Sequence, residues 1–468
     1  MDRRSFMKNL SMMAASSDKV IDMLGLQKCA NKITGRSIKI ADVGLNFERE
    51  PLIRPFGFKG GYLNELWQSI CLLESESGIR KIGVGTQSIL WSDSSVFTKH
   101  SESAGNALML ALTEKALGII KGKTFYSPME LLDEIFEEVY EYGKVITGNH
   151  RLRKTFVLNA LVGVDNAAWL LYAAENGISS FDDMVPEVYR KALSLQHKQV
   201  ACIPLISYNV SPEEMKHMVS EGYFFPKIKI GQPGTQEDML KKDCDRLTEI
   251  HQTIGHIATP HTENGKILYY LDANGRYEKK ETLLRFIDHA RKIGAYEQIA
   301  IIEEPFPEEY DIDVNDVDIR IAADESAHTD RDALIRIEMG YKAIALKAVA
   351  KTMSMTMKIA QIAYENNIPC FCADLTASPF LAEWNKNIAA RLLPFPGLKV
   401  GLLETNGNQN YKNWKQMQTY SPSSGEEWTT VKDGIYNLNE EYYARSGGLF
   451  EPSAYYDRLL ESKKPRNS

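Results

Sequence analysis

From about residue 200 onward the chain repeats one rhythm: a short β-branched apolar run, then a longer amphipathic stretch. This pattern constrains the fold more than any other feature. The apolar runs fall at 200–210, 224–230, 267–273, 299–304, 319–324, 343–349, 370–375 and 398–403. Helix signals separate most of them. Ser211 with Pro212 opens one helix, serine serving as N-cap and proline at the first turn. Others are expected over 236–254, from near Glu281, from near Asp330, over a methionine-rich stretch after the sixth run, and over 379–392. Strands alternating with helices call for a parallel sheet, and eight in series call for a closed α/β barrel. The link after the fourth strand, with its acidic 311–318 segment, leaves little room for a helix.

The region before the barrel reads differently. Segments 37–47, 69–73 and 79–85 read as antiparallel strands, followed by helices over 104–120, 128–142 and 157–175. The organisation read from the sequence is therefore a leader or extension at 1–35, an α+β capping domain at 36–156, a barrel at 157–405, and a segment at 406–468 that packs back on the cap. Charged residues are 25% and the hydrophobic class 44%, as in ordinary globular chains. The formal net charge of −7 argues against nucleic acid or an anionic membrane as partner. The six cysteines are scattered without a CxxC pair, so no structural zinc site is indicated, and Cys370 and Cys372 read as packing residues. No segment reads as the ~18 continuous apolar residues of a membrane span. Arg3-Arg4-Ser5-Phe6-Met7-Lys8 resembles a twin-arginine export signal, but the apolar stretch after it is weak. A cytoplasmic location is expected, with periplasmic export as the alternative. His251, His256 and His261 keep no common helical face and read as surface residues.

In a barrel of this type the functional site lies at the C-terminal ends of the strands. Five consecutive ends carry charge there. Strand two ends Lys227-Ile228-Lys229, strand three Asp272-Ala273-Asn274, strand four Glu303-Glu304, strand five Asp324-Glu325, and strand six carries Lys347. Residues two apart on a strand share a face, so Lys227 and Lys229 project together, as do Asp272 and Asn274. Three carboxylates converging on one mouth repel and call for a cation. Oxygen ligands without His or Cys favour a hard ion, Mg²⁺ or Mn²⁺. Asp272, Glu303 and Asp324 are the expected ligands. Lys229 and Lys347 flank them from opposite sides. A lysine beside a metal and a second lysine has its ammonium form disfavoured and suits a base. Two opposed bases suit removal of a proton next to a carboxylate from one face and its return to the other, through a metal-stabilised enediolate.

At these residues the sequence resembles the enolase superfamily, its muconate-lactonizing and dipeptide-epimerase branch (mandelate racemase/muconate lactonizing enzyme family) most closely. The resemblance spans roughly residues 36 to 445. It implies a modified TIM barrel, (β/α)7β, with the N-terminal α+β cap, and helix residues Val164 to Trp169 as the link between them. It implies that Asp272, Glu303 and Asp324 hold Mg²⁺, that Lys229 and Lys347 are the opposed bases, and that Lys227 is the electrostatic partner of Lys229. It implies an isomerase that racemises or epimerises an acidic substrate, an amino-acid derivative or dipeptide. A cycloisomerase, or a lyase dehydrating a sugar acid through the same enediolate, is the alternative. A non-catalytic binding protein on this fold is the reading of another class.

Three departures are visible. Lys351-Thr352-Met353 replaces the glycine pair that usually follows the strand-six lysine. Strand seven ends in Asp374 without a histidine, against the mandelate-racemase-like Asp–His base. Strand eight offers Glu404 and Asn406 as a loose echo of the Asp-x-Asp that grips a substrate amine. Specificity is expected from cap loops at 46–61 and 87–103, where Arg54 and Lys59 are candidates for a distal carboxylate and Trp91 for a pocket wall. Asn274, Glu325, Asp374, Glu404 and Asn406 complete the expected substrate contacts. The partner is a small carboxylate, and a homo-oligomer is expected.

Overall fold

The computed structural model describes residues 35–58 and 61–461. The twin-arginine motif and Lys59 lie outside the described residues. The first sheet is antiparallel, with β1 (Ile38–Phe58), β2 (Gly61–Ser75) and β3 (Arg80–Gln87) in the order β3-β2-β1-β4, β4 being Thr124–Phe125. Here the structure corrects the sequence reading. The expected loop at 46–61 is instead the far half of a two-stranded ribbon. Its residues pair across the strands: Arg49 lies against Glu65, and Phe47 stacks on Trp67 at 4.5 Å. Polar alternation that looks like loop in one dimension is ribbon when each residue has a cross-strand partner. Between the pairs Pro51–Glu65 and Phe56–Leu63 the register slips, so β1 bulges over residues 52–55.

Helices Glu102–Ile120, Pro128–Thr147 and Lys154–Glu175 cover one face of this sheet. The last lies so close to β3 that a Cβ on Gly83 would stand 2.0 Å from the Gly163 carbonyl oxygen. By length and composition this helix could cross a membrane, contrary to the sequence reading, yet 94% of its most apolar window is buried inside the fold. It is a core helix. Asp165 on it accepts from the Ser354 amide at 3.0 Å and so caps the start of the barrel helix Met353–Glu365.

The barrel strands are β5 (Gln199–Ile203), β6 (Leu205–Ile206), β7 (Lys227–Lys229), β8 (Tyr269–Asp272), β9 (Ile299–Glu303), β10 (Ile321–Ala323), β11 (Ala343–Leu346), β12 (Cys370–Cys372) and β13 (Gly401–Glu404). β5 and β6 are one strand interrupted at Pro204, which has no N–H for the ladder. The lower half pairs with β13 and the upper half with β7, both parallel, so the ring closes. Helices Pro212–Ser220, Gln236–Ile254, Lys280–Lys292, Asp330–Glu338, Met353–Glu365 and Pro379–Ala389 connect the strands. No helix occupies the link after β9, as its acidic composition suggests. The fold is the expected modified α/β barrel with an α+β cap.

The strands are shorter than the apolar runs. After Leu346 the chain turns at once into the short helix Ala348–Lys351, which places Lys347 at the barrel mouth. The closing segment divides. β14 (Ile435–Asn437) pairs antiparallel with β5, while helix Ala454–Glu461 packs on β1, where Asn46 donates to the Leu459 carbonyl at 2.8 Å. Cys370 and Cys372 are buried. Two of the three histidines are half-buried: His251 shares a hydrogen bond with the Tyr269 hydroxyl at 3.0 Å, and His261 stacks on Phe224. His256 is exposed.

Candidate active site

Parallel register brings the charged strand ends level. Lys229 pairs with Asp272, and Asp272 with Glu303, across β7, β8 and β9. Asp324 follows β10 directly. Lys227 is buried at their centre: its Nζ is 3.0 Å from Asp272 Oδ2, 3.0 Å from Glu303 Oε2 and 3.2 Å from Glu404 Oε2. Lys229 Nζ reaches Asp272 Oδ2 at 2.5 Å and Asn274 Oδ1 at 2.7 Å. Lys347 donates to Asp324 Oδ2, and Trp91 of the cap lies over its Nζ at 4.4 Å from the ring centroid.

Lys227, Lys229, Asp272, Asn274, Asp324, Lys347 and Glu404 line a small pocket of about 40 Å³, roofed by Phe56, Leu63, Ser88 and Trp91 from the cap. The expected wall, Trp91, is thus in place. A larger chamber of about 720 Å³ adjoins it and shares Phe56, Leu205 and Asn274. Arg54 is exposed on its cap side.

The electrostatics are those of a crowded anionic site. Burial would raise Asp272, but Lys227 and Lys229 outweigh it and hold its carboxyl well below the usual range. Asp324 is depressed in the same way by Lys347 and Lys351. Glu303 goes the other way: burial, and then repulsion from Asp272, push it well above the carboxylate range. Among the described residues, Glu303 Oε1 and Asp324 Oδ1 are buried without a hydrogen-bond partner, Asp324 Oδ1 lying 3.4 Å from the Lys351 ammonium. Seven buried carboxylates (Asp272, Glu303, Glu304, Asp324, Glu325, Asp374, Glu404) stand against four lysines (Lys227, Lys229, Lys347, Lys351), formally −3. Bare oxygens and surplus negative charge fit a hard divalent cation.

The tightest grouping of carboxylate oxygens, within 4.8 Å of one another, joins Glu303 and Asp324 to Glu325 rather than to Asp272. The pockets separate Asp272 from Glu325, and Glu303 lines neither. Asp272 and Asp324 line the small pocket with the lysines, whereas Glu325 lines a separate cavity beside Glu304. Asp272 is drawn back by its two lysines, and Glu325 Oε1 accepts from Asn274 Nδ2 at 3.0 Å.

Asp374, Glu404 and Asn406 line the small pocket and are also hydrogen-bonded to their neighbours. Asp374 accepts from the amides of Leu375, Ala377 and Asn406. Asn406 bonds Thr376 and Glu404, and Glu404 bonds Lys227 and the Asp374 amide. This network braces the ends of β12 and β13, and burial raises Asp374 to about 6. Burial lowers Lys347, but Asp324 raises it more, so its ammonium is favoured while it is paired with Asp324.

Two members of the cluster were not foreseen. Tyr270 donates to Glu303 Oε2 from inside the barrel. Lys351 is fully buried and donates to the carbonyls of Asp324 at 2.6 Å and Ala327 at 3.0 Å. A lysine where a glycine pair was expected was the available signal.

Comparison with known proteins bears on the fold. Residues 211–390 match the family described as Enolase C-terminal domain-like. The dipeptide epimerase of Enterococcus faecalis V583, complexed with Mg and the dipeptide L-Leu-L-Tyr, is 19% identical with a TM-score of 0.57, over 80% of this chain and 92% of its own. The chain has the enolase-superfamily fold. Two further solved structures share this superfamily fold with the chain. The L-Ala-D/L-Glu epimerase of Bacillus subtilis is 18% identical, TM-score 0.58, over 80% of this chain and 91% of its own. The N-succinyl Arg/Lys racemase of Bacillus cereus ATCC 14579 is 17% identical, TM-score 0.57, over 80% and 89%. No curated protein matches the chain. These solved neighbours are racemases and epimerases.

Proposed function

We propose that the protein is a divalent-metal-dependent racemase or epimerase that removes and returns the proton next to a carboxylate, on an amino-acid derivative or a dipeptide. Asp272, Glu303 and Asp324 would hold Mg²⁺ or Mn²⁺. When bound, the ion would offset the negative charge that grows on the substrate carboxylate as the proton leaves.

The observation that carries the reading is the placement of Lys229 and Lys347 in one pocket, one bonded to Asp272 and the other to Asp324. One lysine takes the proton and the other returns one to the opposite face. Each starts as an ammonium paired with a proposed ligand carboxylate. A cation competes for those same oxygens, which couples metal loading to release of the bases. Lys227, tied to three carboxylates, positions the ligands and stays charged: burial lowers it, but Asp272, Glu303 and Glu404 together raise it well above the lysine range. The cap residues Phe56, Leu63 and Trp91 exclude water from the reacting carbon.

The test is a screen of N-acyl amino acids and dipeptides in D₂O with Mg²⁺, following α-hydrogen exchange by NMR. Exchange is expected, with loss of at least 10³-fold, about 4 kcal/mol of barrier, in Asp272→Asn. Exchange that survives EDTA or this substitution would sink the metal assignment.

A further inference from the structure

Tyr270 stands one layer below the proposed metal ligands, inside the barrel. Strand β8 reads Tyr269-Tyr270-Leu271-Asp272, and alternate side chains share a face, so Tyr270 points inward with Asp272 while Tyr269 points out. Register fixes the layers. Tyr270 pairs with Lys227 of β7, and two residues further on Asp272 pairs with Lys229 and with Glu303 of β9. Two residues of strand rise about 6.6 Å. The long tyrosine side chain spans that step, and its hydroxyl donates to Glu303 Oε2. The ring is wholly buried, and Phe371 of β12 meets it edge-on at 5.1 Å.

Two donors therefore serve one oxygen, since Lys227 Nζ lies 3.0 Å from the same Glu303 Oε2. They differ in what else they hold. Lys227 is shared with Asp272 and Glu404, whereas among the described residues the Tyr270 hydroxyl bonds Glu303 alone. The other oxygen of this carboxylate, Oε1, has no hydrogen-bond partner among the described residues. A carboxylate with one oxygen held by two directional donors cannot turn freely about its last bond, and it has only the other oxygen to give. A phenol does this without adding a positive charge that would repel a cation. Any buried tyrosine seeks a partner for its hydroxyl. Tyr269 is the plain case: its hydroxyl shares a hydrogen bond with His251 Nδ1 at 3.0 Å on the outer face of the strand, away from the carboxylates.

We propose that Tyr270 is a positioning residue for the metal site: by holding Glu303 Oε2 it leaves Oε1 as the single oxygen that Glu303 gives to the ion. This rests on reading Asp272, Glu303 and Asp324 as the ligands. Carboxylates that hold a metal are themselves oriented by hydrogen bonds, and loss of such a partner costs about 10–100-fold in metal affinity.

The test is a Mn²⁺ titration of the full-length protein, followed by electron paramagnetic resonance, on wild type, Tyr270→Phe and Tyr269→Phe. Each variant deletes one buried hydroxyl from adjacent positions of the same strand, so a general loss of core stability acts on both. Tyr270→Phe is expected to weaken Mn²⁺ binding at least tenfold, and Tyr269→Phe to stay within threefold of wild type. A smaller loss in Tyr270→Phe, or an equal loss in Tyr269→Phe, overturns the proposal. Wild type that binds no Mn²⁺ refutes the ligand assignment itself, and the role of Tyr270 with it; wild type that binds while Tyr270→Phe binds as well refutes the role alone. A crystal structure of the Mg²⁺-loaded wild type decides the point even if Tyr270→Phe does not fold. It should show Tyr270 Oη on Glu303 Oε2 and the ion on Oε1; an ion held through Oε2, or through both oxygens, overturns the proposal.

Discussion

Lys351→Met isolates the lysine that stands behind the proposed metal ligand Asp324. The ammonium lies 3.4 Å from Asp324 Oδ1 and is wholly buried. Two unit charges at that separation attract by about 5 kcal/mol at an effective dielectric of about 20. Much of this is offset by relaxation and by the desolvation of the ammonium, which burial already pulls below the usual lysine range. If about a third survives, ~1.6 kcal/mol, a divalent cation competing for Asp324 gains more than tenfold in affinity when Lys351 is removed. The same change strands the Ala327 carbonyl, at about 1–3 kcal/mol, while the Asp324 carbonyl keeps the Ala327 amide at 3.1 Å, so the metal-free protein loses stability. The assay is a Mn²⁺ titration followed by electron paramagnetic resonance, with thermal unfolding at zero and saturating metal. Tighter Mn²⁺ binding together with a lower metal-free midpoint is the expected pair of results. Unchanged or weaker binding in a folded variant would refute the reasoning, because Lys351 would then not be in competition with the cation.

Two further outcomes follow from the cap. Burial raises Asp165 from 3.8 to about 6. The folded state therefore holds this proton more tightly than the unfolded chain does. The stabilisation is complete below about pH 4 and is lost as pH rises to about 6, roughly 3 kcal/mol in all. Asp165→Asn should remove that component, so the urea-unfolding difference between variant and wild type should shift in the variant's favour from pH 4 to pH 7; a pH-independent difference would contradict it. Gly83→Ala forces a Cβ into the Gly163 carbonyl and the Ala167 amide, at 2.0 and 2.4 Å, both rigid backbone. It should cost about 3 kcal/mol or more, by analogy with overpacked cores, seen as a fall in unfolding midpoint; a midpoint within 1 °C of wild type would show that the helix can move aside.

Much of the site was legible because its determinants are local. The β/α period gave the barrel, and strand ends became the places to look. Asp272, Glu303, Asp324, Lys227, Lys229 and Lys347 meet at one mouth because neighbouring parallel strands are in register. The cap was read less well. Residues 46–58 look like loop until Arg49 finds Glu65 and Phe47 finds Trp67. Hydrophobic pattern does not show a cross-strand ion pair such as Arg49 with Glu65.

The partners of each charge were not legible. Asp374, Glu404 and Asn406 look available in one dimension and are spent on one another in three. A strand's period of two and a helix's period of 3.6 are properties of adjacent residues, so the sequence by itself determined the barrel, the mouth and the kind of ion that suits it. Which carboxylate oxygens stay bare and which lysine stands behind Asp324 depend on separations of a few ångströms between residues tens to hundreds apart along the chain. Only the tertiary structure sets those distances, and electrostatic energy falls off over that same scale.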